Sequence, residues 1–410
     1  MEKEKLVPVI RFKGFDEEWK VNRLSSYLNV VVKRNEQLRY SQNEVLSVSK
    51  DSGVINQIKY LGRSYAGSDL RNYKILELSH IVYTKSPLNE TPFGIIKTNN
   101  YEQGIVSTLY ATYEPSSACH SNFVEHYFSK YDRLNNYLYP LVNKGAKNTL
   151  LISDETALSG YVIFPYLDEQ QEISDLLDNL ALLIHSQELK LEKLQTIKQS
   201  LLNKMFANNA IKSPRIQFNG FGKEWKTYYF NEIIYPSGEK NINNLPLKSY
   251  SVSNKYGFVN QEEQFKYGGI ALAADKSRST IVDCNTFAYN PARIDIGSIG
   301  YWDKDEKILI SPMYEVFKTN KNFVNDIFLE KWFKTEIFNS IVLSNQEGGV
   351  RTCFGLQKML TSCVTIPGQV FEQQKIGQFF SNLDSLIHSQ ELKLEKLNNI
   401  KQALLEKMFC

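Results

Sequence analysis

The chain has 410 residues, 42% hydrophobic and 23% charged, enough apolar content to bury cores in two or three domains without covalent staples. A net charge of +3 excludes the strongly basic balance by which composition alone announces a nucleic-acid partner, and no stretch approaches the roughly 18 apolar residues of a membrane span. The five cysteines, Cys119, Cys284, Cys353, Cys363 and Cys410, are odd in number and form no C-x-x-C pair, so they are read as free thiols in a reducing cytoplasm.

In chain order, the first half opens with Arg11-Phe-Lys-Gly-Phe-Asp-Glu-Glu-Trp-Lys20, answered by Gln217-Phe-Asn-Gly-Phe-Gly-Lys-Glu-Trp-Lys226. Ser47-Val-Ser-Lys-Asp-Ser-Gly-Val-Ile-Asn-Gln57 is echoed at Ser251-Val-Ser-Asn-Lys-Tyr-Gly-Phe-Val-Asn-Gln261, Asn122-Phe-Val124 at Asn322-Phe-Val324, and Lys144-Gly-Ala-Lys147 at Gly348-Gly-Val-Arg351. Strands are expected at His80–Thr84, Ile105–Thr108, Tyr161–Phe164, Thr286–Tyr289 and Ile308–Ile310, and helices at Asn122–Leu138 and Asp326–Lys334. Each globular part is therefore expected to be α+β.

After Pro165 the pattern becomes helical, with Asp168 as N-cap. Apolar residues recur at Ile173, Leu177, Leu180, Ile184, Leu191, Leu194, Leu201 and Met205, the 3-4 alternation of a coiled-coil seam, interrupted at Gln187 and Lys198. The second half ends the same way, with Ile376, Phe380, Leu383, Ile387, Leu394, Leu397, Leu404 and Met408 in register. His185–Phe206 and His388–Phe409 are near-copies whose first ten residues are identical. Two such stripes bury each other most simply. An antiparallel pair puts one globular part at each end, related by a pseudo-twofold axis. The expected domains are 1–165, a first spacer helix 166–208, 209–367, and a second spacer helix 368–410.

Residues 1–165 carry 20 basic against 17 acidic side chains and 207–370 carry 19 against 16, while 166–206 carry 4 against 7. The slight basic excess lies in the globular parts. An enzyme reading fares poorly. Phe218-Asn-Gly-Phe-Gly222 imitates the F-x-G-x-G of S-adenosylmethionine methyltransferases but follows no buried strand, and Asn290-Pro-Ala-Arg293 lacks the second proline and the aromatic ring of their loop. Glu18-Trp-Lys20 and Glu224-Trp-Lys226 spell a nuclease-like E-x-K without the upstream Pro-Asp strand, so Trp19 and Trp225 are read as buried anchors. No catalytic or metal site is expected. What remains is a basic and aromatic surface. Lys50, Arg63, Tyr65, Arg71, Lys74 and Lys147 in the first half, and Asn254, Lys255, Lys276, Arg278, Arg293 and Arg351 in the second, are residue types that contact phosphates and base edges.

Two diverged domains opening with F-x-G-F-x-x-E-W, each followed by a proline, an E-Q-Q-x-I helix start (Glu169–Ile173, Glu372–Ile376) and a K-Q-x-L-L-x-K-M-F helix end (198–206, 401–409), resemble the specificity subunit of Type I restriction-modification systems. The resemblance spans nearly the whole chain. It implies two target recognition domains, each reading one part of a bipartite asymmetric site in double-stranded DNA. The helices would set the gap and dock two methyltransferase subunits, with two ATP-dependent restriction subunits completing the complex. S-adenosylmethionine, ATP and Mg²⁺ would then belong to the partners, with no cofactor on this chain. The alternatives weighed against it are a single-chain DNA methyltransferase or nuclease and a two-headed scaffold binding protein.

Overall fold

A computed structural model describes residues 5–87, 90–144, 150–208, 210–254, 256–264, 276–345 and 353–410. It contains two compact units, one of residues 1–188 and 393–410, the other of residues 189–392. Each long helix passes from one unit into the other: Leu167–Met205 begins in the first, and Val370–Lys407 begins in the second.

In the first unit a four-stranded antiparallel sheet has the order Leu28–Val30, Tyr110–Pro115, Ile81–Thr84, Ile96–Thr98. Of its two inner strands, Ile81–Thr84 is all β-branched or aromatic and wholly buried, as expected of a strand covered on both faces. Beside it stand a hairpin, Leu46–Ser49 with Gly53–Asn56, and the pair Lys74–Leu76 with Gly104–Val106. Helices Ser121–Phe128 and Tyr131–Leu138 cover the sheet where one continuous helical stretch was expected; they are separated at Ser129 and Lys130.

The second unit repeats this plan. Its sheet has the order Ile234–Pro236, Glu315–Thr319, Thr286–Tyr289, Ile299–Trp302, and its hairpin is Tyr250–Ser253 with Gly257–Asn260. Glu239–Lys240, Thr280–Val282 and Ile308–Ile310 add a three-stranded sheet, and helices Asp326–Trp332 and Glu336–Ser344 cover the four-stranded one. The two hairpins turn through Gly53 (φ +66°) and Gly257 (φ +64°), a left-handed conformation that a Cβ disfavours. With open space around Gly53, Gly53→Ala is expected to cost only the backbone strain, about 1–2 kcal/mol in urea unfolding.

Each globular entry is pinned at its tryptophan. Lys20–Arg23 pairs with Tyr161–Phe164, and Trp19 lies 5.9 Å from Phe123 and 6.3 Å from Phe409, ring to ring. In the second unit Lys226–Tyr229 pairs with Cys363–Ile366, and Trp225 lies 5.9 Å from Phe328 and 6.4 Å from Phe206. These aromatic cages correct one sequence match. Phe123 corresponds to Phe328, so Asn122-Phe-Val124 is equivalent to Ile327-Phe-Leu329 and not to Asn322-Phe-Val324. The hydrophobic cage fixes the register, and the shared tripeptide was accidental.

The core of the first unit takes Ile173 and Leu177 from the start of one long helix and Leu405, Met408 and Phe409 from the end of the other. The core of the second takes Ile376 and Phe380 from a helix start and Leu202, Met205 and Phe206 from a helix end. Every residue of the expected seam is buried or half-buried. Leu202 and Leu405, outside that pattern, are more deeply buried than Leu201 and Leu404. Asp168 lies inside the first turn rather than at the N-cap, because Gln170 N–H already donates to Tyr166 O at 3.2 Å.

The second position of E-Q-Q explains its presence in both halves. Gln170 Nε2 donates to Pro165 O (2.9 Å) and Ala118 O (3.1 Å), and its Oε1 accepts from His120 N (2.9 Å). Gln373 does the same with Pro367 O (2.9 Å), Phe323 O (2.9 Å) and Asn325 N (2.8 Å). A fully buried amide satisfied three times ties the helix start to the strand before it and to the covering helix.

Candidate nucleic-acid interface

The candidate residues of the first unit cluster around the hairpin and the turn of helix that follows it. Asn56 ends the second strand and caps helix Gln57–Leu61, accepting from Ile58 N (3.0 Å) and Lys59 N (3.1 Å). Gly62 (φ +77°) terminates the helix after five residues. The chain then enters a loop that carries Arg63, Tyr65 and Arg71.

Three of the expected cations are compensated. Lys50 pairs with Glu90 and lies 4.8 Å over the Tyr131 ring; the hydrogen bond it donates to Glu90 holds its ammonium above the usual lysine range. Arg71 grips Asp69 with both prongs (Nε–Oδ1 3.0 Å, Nη2–Oδ2 2.9 Å), pulling that carboxyl down to about 2. Lys74 is a correction: it is buried, donates to Tyr110 O at 2.9 Å and pairs with Asp154, which also binds Lys85 at 2.6 Å. Lys74 is part of the core, not of a surface, because the ammonium and its neutralising carboxylate are both largely excluded from solvent. Burial opposes ionisation of Asp154, yet the two lysine hydrogen bonds prevail and hold its carboxyl below the ordinary range.

Arg63 is different. It is exposed, has no ion-pair partner among the described residues, and stacks 4.6 Å over the exposed ring of Tyr65. Lys147 lies outside the described residues.

In the second unit Asn254 is exposed at the hairpin turn, and its Cβ is 3.9 Å from where a Cβ on Gly297 would sit. Gly297 closes the turn Ile294–Ile296 whose N-cap is the exposed Arg293, so hairpin tip and arginine turn are neighbours. The Asn290–Arg293 segment is a structural turn, with Pro291 O accepting from Phe354 N at 3.0 Å. Lys276 is half-buried and donates to Leu247 O at 3.4 Å; Arg278, in the same turn, is exposed. Lys255 and Arg351 lie outside the described residues.

Sequence reasoning passed over Gln57. Its Nε2 donates to Ser47 Oγ (2.6 Å), while its Oε1 accepts from Tyr65 N (2.7 Å) and Ser64 Oγ (3.3 Å), clamping the loop onto the hairpin. The signal was present: Asn56-Gln57 and Asn260-Gln261 are the same in both halves, immediately before the loops diverge.

Each unit also has a cleft between its hairpin and the long helices. In the first, about 560 Å³ is lined by Lys97, His126, Asp178 and Lys401 among others, with His126 Nε2 2.7 Å from Asp178 Oδ1. In the second, about 750 Å³ includes Trp302, Lys331, Lys334 and Asp384, with Asp384 paired to Lys198 (2.6 Å) and Lys331 (2.9 Å). These carboxylates are committed to latching the covering helix to the long helices. His126 and Lys331 occupy equivalent positions in that latch.

No helix among the described residues is long and apolar enough to cross a membrane. No family model and no curated protein matches the sequence. Solved structures do match the fold. A Type I restriction-modification system S subunit from M. genitalium superposes with a TM-score of 0.58 at 12% identity, covering 98% of this chain and 99% of that one. An HsdS subunit from Thermoanaerobacter tengcongensis, also 12% identical, aligns over 95% of this chain and 96% of that chain with a TM-score of 0.42. By its match to the M. genitalium structure, the chain has the fold of a Type I restriction-modification S subunit over 98% of its length.

Proposed function

We propose that this chain is the DNA-reading, non-catalytic specificity subunit of a Type I restriction-modification complex. Each globular part reads one portion of a bipartite, asymmetric site in double-stranded DNA. The two long helices pair as an antiparallel coiled coil that sets the gap and docks two methyltransferase subunits. The observation that carries this reading is the duplication of a complete domain plus helix within a chain that shares the S-subunit fold over 98% of its length. Its support is physical as well. Each unit's core joins the start of one helix to the end of the other, which is what an antiparallel pair requires.

Two equivalent partners need two equivalent surfaces. Leu183, Leu189 and Ile197 on the first helix are exposed, and so are their counterparts Leu386, Leu392 and Ile400 on the second. Apolar side chains left in solvent at matched positions are suited to covering by another protein. S-adenosylmethionine, ATP and Mg²⁺ are assigned to the methyltransferase and restriction partners. A modest basic charge suffices here if partners contribute further phosphate contacts.

The test is methylation mapping of a host genome after co-expression with cognate methyltransferase subunits. A bipartite methylated motif is expected, and replacing residues 1–165 by another such head should change one half of the motif and leave the other intact. A change in both halves, or methyl transfer by the purified chain alone, would overturn the reading.

A further inference from the structure

We infer that Arg63 reads a guanine in the half-site contacted by the first unit, with Tyr65 as the stacking platform and Gln57 as the positioning residue. This rests on the DNA-reading function proposed above and names the contact that supplies part of its specificity. Around this loop the other cations are spent on carboxylates: Lys59 on Glu102 (2.6 Å), Arg71 on Asp69 and Lys50 on Glu90. Arg63 alone of this group has no ion-pair partner among the described residues, so its charge is available to a ligand at no cost in broken ion pairs.

The stack decides which ligand. A guanidinium lying on a ring keeps its face occupied and turns its edge, with the paired N–H donors, outward. That fork matches two adjacent in-plane acceptors, which guanine O6 and N7 present in the major groove. A phosphate contact needs only a point charge, which a free lysine meets without a stacking platform. The platform is itself fixed. Gln57 holds Tyr65 N–H at 2.7 Å and is braced by Ser47 in the hairpin, so the loop is held by a rigid element. Gly62, left-handed at φ +77°, ends the helix immediately before Arg63 and directs the chain into the loop.

The experiment is the same genome-wide methylation mapping, run on the full chain with its methyltransferase partners for wild type, R63A, R63K, Y65F, Q57A and Q57E. Wild type is expected to show a guanine in the half of the motif that head exchange assigns to residues 1–165. R63A and R63K should each lower discrimination at that guanine roughly tenfold or more, leaving the other half and the gap unchanged. Y65F keeps the ring and should keep the motif. Q57A should relax the same base, and Q57E, which retains the acceptor for Tyr65 N–H, should restore it. Discrimination retained by R63K would show that the guanidinium fork is not what reads the base and overturn the inference, as would an unchanged motif for R63A or no guanine in that half. Those results leave the bipartite reading standing, whereas a wild-type chain giving no bipartite motif removes both.

Discussion

Glu169→Gln is expected to destabilise the protein by about 2–3 kcal/mol, because it strips the charge-assisted partner from a half-buried arginine. Glu169 meets Arg11 through two parallel bonds of 2.7 Å, the carboxylate buried and the arginine half-buried. The equivalent change, Glu372→Gln, is expected to stay within about 1 kcal/mol, since no charge is left unpaired. The reason lies in the repeat. Gln217 stands where the first half has Arg11, so Glu372 has no cationic partner among the described residues and accepts instead from Trp225 Nε1 at 3.2 Å. Trp19 Nε1, deprived of that acceptor, has no hydrogen-bond partner among the described residues. Burial pushes the Glu372 carboxyl above its ordinary range despite the indole hydrogen bond. A raised carboxylate contributes stability that is present below its unfolded value, near pH 4.3, and lost as pH climbs through the folded one. Glu372→Gln should therefore gain on the parent as pH rises. Urea unfolding of both variants at pH 5 and pH 8 checks this, and equal costs for the two changes would refute it.

The duplication was legible because both copies must solve the same packing problem. The E-Q-Q start could be read as a motif, but its task could not, since Gln170 and Gln373 bond to backbone groups about fifty residues away as well as to the adjacent proline. The M-F ends look like ordinary helix termini, yet Phe206 and Phe409 each enter the aromatic cage of the unit their helix runs into. Charge-counting placed Lys50, Arg71 and Lys74 on a binding surface. It failed where a carboxylate arrives from elsewhere, as Glu90 does for Lys50 and Asp154 for Lys74. Arg71 was decipherable, because Asp69 stands only two residues away. The Ser47–Gln57 echo was readable as a repeat but not as a hairpin, although its glycine and its Asn-Gln carry the turn and the cap. The covering-helix register was not, because a three-residue match carries less information than one aromatic side chain seated in a cage.

The proposed spacer role of the long helices makes the second large prediction. Inserting seven residues after Leu194 and seven after Leu397 is expected to lengthen the gap in the methylated motif by about three base pairs, while the bases on either side stay the same. Seven residues add two turns, about 10.5 Å, and return the seam to nearly the same face; duplex DNA rises about 3.4 Å per base pair. Both helices must be lengthened, because each has its two ends in different cores: Ile173 and Leu202 on the first, Ile376 and Leu405 on the second. Lengthening one alone would pull an end out of its aromatic cage and should cost folding rather than change the gap. A four-residue insertion in both would rotate the seam by about 40° and is expected to weaken activity. The measurement is again the mapped motif, with circular dichroism to confirm that each variant is folded. A folded seven-residue variant whose gap is unchanged would show that something other than the long helices measures the DNA. Of the matched exposed residues, Leu183, Leu189, Leu386 and Leu392 lie before the insertion points while Ile197 and Ile400 lie after them, so binding of the methyltransferase subunits to the seven-residue variant separates an effect on the spacer from one on docking.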